Sequence, residues 1–129
     1  MAYVSLDTEQ VKKANKAHKY TEEQVLQLEK CMDETDGPLY FMENFMRIQH
    51  PTKGEMAFKP YEYQKRLIKS YNDHRFSIAM LPRQTGKTTC ASGYIIWYAM
   101  FKPDSQILIA AHKYAGASDI MSRVRYAYE

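Results

Sequence analysis

Two cysteines, one tryptophan, five glycines and five prolines are spread thinly over 129 residues, and each scarcity removes a class of protein. Cys31 and Cys90 are far apart with no metal-type spacing. They are also too few for a disulfide scaffold, which suits a reducing cytosol. Sparse glycine and proline, with 45% hydrophobic and 26% charged residues, exclude a largely disordered chain. No run approaches the roughly 20 apolar residues of a membrane span, and the N-terminus carries no apolar signal core. No membrane partner is therefore expected. Internal repeats and low-complexity tracts are absent, and His18, His50, His74 and His112 are scattered without ligand spacing. A formal net charge of +3 permits an anionic partner but is far from the dense basic stripe of a dedicated DNA reader.

Helical signals dominate the first half. Residues 1–19 are polar with a thin apolar stripe, a marginal helix or mobile arm. Thr21 and Gln24 form a capping-box pair, and Val25, Leu28 and Met32 recur on one face, which predicts a capped amphipathic helix. Pro38 can occupy a first helical position, where its missing N–H has no intrahelical partner anyway. The apolar stretch from Leu39 to Arg47 then predicts a short helix burying Phe41, Met42, Phe45 and Met46. Turn residues 49–54 stop it, and a loop or small hairpin runs to Lys59. A further helix is expected from Tyr61 to about Tyr71.

The second half reads as strand, helix, strand. Residues 75–81 and 106–111 are short apolar runs of strand length, with a largely apolar helix over 87–101 between them and a last helix over 114–129. That order is a βαβ unit.

Between the first run and its helix lies Leu81-Pro82-Arg83-Gln84-Thr85-Gly86-Lys87-Thr88-Thr89. In the pattern GxxxxGK[ST] the glycines let backbone amides curl round phosphates, the lysine reaches the β and γ oxygens, and the hydroxyl ligates Mg²⁺. Gly86, Lys87 and Thr88 fit, while Leu81 replaces the first glycine. Gly-Lys-Thr alone arises by chance in roughly one chain in twenty of this length. Its place at the start of a helix is what makes it informative, because the helix dipole and free N–H groups then point at the loop. ATP with Mg²⁺ is the expected ligand. Arg83 is a solvated turn residue or, three residues from Gly86, a guanidinium placed to stabilise charge on the γ-phosphoryl oxygens. Gln84, Thr85 and Thr89 are supporting loop residues. Upstream, Tyr63-Gln64 is either ordinary helix surface or a base site, since a glutamine amide can pair with adenine edge atoms and a tyrosine can stack on its face.

Taken together, Tyr63-Gln64, the variant loop with Arg83, and a second run leading into Ala111-His112-Lys113 resemble the N-terminal part of the large terminase subunit of tailed bacteriophages. That family is the ATP-driven motor that packages DNA into the procapsid, and the resemblance spans about residues 20–129. It implies an α/β P-loop NTPase of the RecA-like three-layer kind, truncated, with a polar arm over 1–19, a helical lead-in over 20–59 and an incomplete ATPase domain over 60–129. It also implies Gln64 and Tyr63 at adenine, Lys87 and Thr88 at phosphate and Mg²⁺, and Arg83 as the trigger of hydrolysis. Partners in the complete protein would be double-stranded DNA, a portal, a small terminase subunit and further copies in a ring, in the cytoplasm of an infected bacterial host. The family's acidic strand and nuclease domain would follow residue 129, so this chain is expected to bind nucleotide at most. Its two strands would lack their neighbours, leaving edges bare or pairing directly with each other. A helicase-like or restriction-type translocase, a small-molecule kinase and a non-enzymatic docking module remain alternatives.

Overall fold

The computed structural model describes residues 19–50 and 52–128; the expected arm over 1–19 lies almost wholly outside them. Five helices form among the described residues: α1 Glu22–Met32, α2 Gly37–Phe45, α3 Glu62–Asp73, α4 Lys87–Phe101 and α5 Tyr114–Tyr128. One antiparallel hairpin, β1 Arg47–His50 and β2 Gly54–Ala57, sits between α2 and α3 in the chain.

Local chemistry accounts for the boundaries. Thr21 N–H donates to Gln24 Oε1 at 3.0 Å while Gln24 N–H donates to Thr21 Oγ1 at 3.3 Å, the reciprocal cap that starts α1. The Asp33 carboxylate then accepts from the amides of Thr35 and Asp36, and these bonds hold its pKa below the usual value. In the hairpin turn, His50 Nδ1 accepts from the amides of Thr52 and Lys53, and Gly54 takes the left-handed φ of 72° that closes the turn.

α4 is apolar on all sides and is the central element, packed against α2, α3 and α5. Trp97, Cys90 and Ile96 from α4 meet Phe41, Met42 and Met46 from the α2 region and Leu67 and Ile68 from α3. Gly93 permits this approach. A Cβ there would stand 2.5 Å from Met42 Cε and 2.6 Å from Met46 Sδ, so a larger residue would require these two buried side chains to repack. The Trp97 indole N–H donates to the carbonyl of Cys31 at 2.7 Å, tying the end of α1 to the core.

The expected stripe on α1 is corrected: Val25, Leu28 and Met32 are exposed, and Cys31 is the residue of that helix that the fold buries. Capping and periodicity make a helix; they do not supply a neighbour for its apolar face.

The α/β three-layer fold is likewise overturned. The described residues form helices and one two-stranded antiparallel sheet, and neither 75–81 nor 106–111 is a strand. They do not pair with each other either. Ser77 is held by its hydroxyl to the Ser70 carbonyl at 2.7 Å, and Leu81 touches the core. Phe76, Ile78 and Met80 project outward, Ile78 95% and Met80 93% exposed. An apolar run becomes a strand only when a ladder partner lies alongside, and none does among the described residues.

Candidate functional site

The loop over 81–88 ends where α4 begins. Gly86 is the N-cap, with φ 77° and ψ 15°, a left-handed conformation that costs a glycine little. Gln84 is also left-handed at φ 60°, while Arg83 and Thr85 on either side of it are not. Left-handed residues set between right-handed ones are how backbone N–H groups come to face one side and suit an anion. The first N–H groups of α4, at Gly86, Lys87, Thr88 and Thr89, have no intrahelical acceptors and carry the positive end of the helix dipole.

Side chains complete the cradle. Lys87 Nζ reaches across the loop to the Leu81 carbonyl at 2.9 Å, holding the turn closed. Thr85 Oγ1 donates to the Pro82 carbonyl at 2.9 Å. Arg83 and Gln84 are exposed. Among the described residues neither Arg83 nor Lys87 enters an ion pair, so two cations stand at the loop without a carboxylate to neutralise them. Thr88 is half-buried in the first turn of α4, and its hydroxyl has no hydrogen-bond partner among the described residues. No group of three or more His, Cys, Asp and Glu side chains converges to hold a metal among the described residues.

Tyr63 and Gln64 arrive from the first turn of α3, and both are fastened to the loop. The Tyr63 hydroxyl and Gln64 Nε2 each donate to the Thr85 carbonyl, at 2.9 and 3.0 Å. Gln64 Oε1 accepts from the Tyr61 amide at 2.9 Å, so this buried side chain is bonded at both ends. Gly86 lies directly against it: a Cβ on Gly86 would stand 2.5 Å from Gln64 Nε2. The structure therefore joins Tyr63, Gln64, Thr85, Gly86 and Lys87 in one cluster.

Thr89 stands apart from that cluster. It lines a groove of about 570 Å³ bounded by β1, α4 and α5, together with Arg47, His50, Ser92 and Arg123. The groove's basic residues are already paired, Arg47 with Glu55 at 3.2 Å and Arg123 with Asp119 at 3.3 Å, so the uncompensated charge lies at the loop and not there. His112 and Lys113 are exposed just before α5.

Sequence reasoning passed over Tyr61. Its ring lies against that of Tyr63, centroids 5.9 Å apart and planes within 7° of parallel. A usable signal was present: a glutamine at the third position of a helix points back to the N-cap amide, which fixes Tyr61 beside the site.

No protein-family model matches the chain. Among the described residues, no helix is long and apolar enough to cross a membrane.

Proposed function

We propose that this chain binds a magnesium nucleoside triphosphate, ATP in the first instance, at the loop over 81–88, and that it serves the ATPase of a DNA-packaging motor of the terminase large-subunit kind. One observation carries the nucleotide reading: left-handed Gln84 and Gly86 lie at the N-terminus of a 15-residue helix, beside two cations that have no carboxylate partner among the described residues. The motor reading rests on the sequence resemblance, as do its partners (double-stranded DNA, portal, small subunit and ring-mates) and its place in the host cytoplasm.

Each residue then has a defined task. Gly86 and the first amides of α4 hold the β-phosphate oxygens. Lys87 exchanges the Leu81 carbonyl for β and γ oxygens, a neutral acceptor for a charged one. Thr88 supplies a hydroxyl toward Mg²⁺, which when bound neutralises charge on the β and γ phosphates. Arg83, exposed at the rim, stabilises charge developing on the γ-phosphoryl group. Tyr63 and Gln64, through the Thr85 carbonyl, hold the loop in register with α3. A docking-module reading is weakened, because Phe41, Met42 and Met46 are covered by the chain's own core, while Phe45 of the same face, expected to be buried, is 46% exposed.

Titration calorimetry with Mg-ATP on the wild type and Lys87→Ala tests the proposal. Loss of charge-assisted hydrogen bonds worth about 1.5–3 kcal/mol should weaken binding by roughly 10- to 100-fold. Equal affinities would remove the basis of the reading.

A further inference from the structure

The groove bounded by β1, α4 and α5 runs along an open edge of backbone. Phe58 N–H donates to the Met46 carbonyl at 3.1 Å, and in a register that sets Arg47 opposite Ala57 this makes Ile48–Met56 and His50–Gly54 the hydrogen-bonded pairs of the hairpin. The N–H and C=O groups of Arg47 and Gln49 therefore point away from β2. The sheet has two strands, so among the described residues no third strand meets them. Every residue of β1 lines the groove, which places it along that edge.

The two faces of β1 differ. Arg47 and Gln49 are exposed on one, whereas on the other Ile48 packs against the core and His50 is half-buried. Ser92 of α4 also lines the groove; it is 1% exposed, and its hydroxyl has no hydrogen-bond partner among the described residues. A buried hydroxyl left unmatched is costly, and a polar guest in the groove would relieve it. Charge in the lining is unequal, since Arg47 and Arg123 stand against the single carboxylate of Asp119. Both arginines are held only in exposed ion pairs, with Glu55 and Asp119, of a kind that contributes little and exchanges readily.

We infer that this groove binds a short extended peptide of a partner protein, added to the open edge of β1 as a third strand, with acidic side chains on the Arg47 face and threonine-like ones on the Ile48 face. A neighbouring extended backbone is what supplies N–H and C=O groups at the spacing of Arg47 and Gln49, and that fixes the class of guest. Residues opposite one another across a strand pair share a face, so a carboxylate meets Arg47 while a β-branched hydroxyl residue enters the half-buried side. The phosphate-loop cluster of Tyr63, Gln64, Thr85, Gly86 and Lys87 contributes nothing to the groove's lining, so this inference and the nucleotide reading stand or fall separately.

Fluorescence anisotropy with a labelled peptide of alternating Glu and Thr, and a control of alternating Lys and Thr, tests it on the wild type, Gln49→Pro and Arg47→Glu. The Glu–Thr peptide should saturate the wild type below about 1 mM, and more tightly than the Lys–Thr peptide. Gln49→Pro deletes an outward N–H that takes no part in the β1–β2 ladder, so the hairpin should persist while binding weakens about three- to tenfold, the range for one backbone hydrogen bond. Arg47→Glu should weaken the Glu–Thr peptide and tighten the Lys–Thr one. Absence of saturation, equal binding of the two peptides, or a Gln49→Pro affinity within about twofold of wild type would overturn the inference. Should Gln49→Pro fail to fold, the fully N-methylated Glu–Thr peptide puts the same question to the unaltered protein: binding equal to its parent's refutes strand addition, and loss supports it. Sedimentation covers the other occupant, because a wild-type dimer that Gln49→Pro dissolves would assign the edge to a second copy of this chain and not to a partner.

Discussion

Replacing Gly86 by alanine should be costly for two separable reasons. At φ 77° an alanine occupies the left-handed region, a strain of about 1 kcal/mol. Its Cβ would also stand 2.5 Å from Gln64 Nε2, too close to persist. Gln64 is flexible in principle, but here it is buried and bonded to Tyr61 and Thr85. Moving it sacrifices two hydrogen bonds at about 1 kcal/mol each, giving a total near 3 kcal/mol for Gly86→Ala. Urea denaturation of wild type, Gly86→Ala, Gln64→Ala and the double variant tests this as a cycle. With Gln64 already truncated the clash is gone, and Gly86→Ala should cost only the strain, about 1 kcal/mol. The coupling between the two sites should therefore be about 2 kcal/mol. If Gly86→Ala costs the same in both backgrounds to within about 0.5 kcal/mol, the packing of Gln64 against Gly86 is not what fixes the loop.

Two further outcomes follow from the core. Trp97→Phe removes the donor to the buried Cys31 carbonyl and should lower unfolding free energy by about 2 kcal/mol in urea melts, with α4 intact by circular dichroism. Alkali should also unfold the protein from within. Burial raises the Cys90 thiol from 9.0 to about 11, and it raises Tyr71 and Tyr94 as well. The unfolded chain therefore releases these protons at lower pH than the native state does. Stability should be flat below about pH 9 and fall between 9 and 11, with Cys90 contributing about 3 kcal/mol across that window. Urea melts at pH 8 and pH 10.5 on wild type and Cys90→Ala would show it, since the variant should lose less over the same interval.

What could be read from the residues was local. The reciprocal cap of Thr21 and Gln24, Pro38 at the start of α2, and the bounds of α4 at Lys87 and Phe101 all depend on chemistry within a few positions, and the structure contains each of them. Partnership was not legible. Val25 and Met32 on α1, and Ile78 and Met80 before the loop, carry the composition of buried faces, yet burial depends on what arrives from elsewhere. The same limit applied at the candidate site. Gly86, Lys87 and Thr88 could be located from spacing alone. That Gln64 spends its amide on the Thr85 carbonyl depends on how α3 meets the loop, 21 residues away.

The outward strip formed by Phe76, Ile78 and Met80 also bears on how the purified protein ages. A thioether held in water, as Met80's is, meets dissolved peroxide freely, and its sulfoxide is polar where the parent was greasy. Among the described residues Met80 is the most exposed methionine, so air oxidation there should leave an old sample with a more hydrophilic surface than a fresh one.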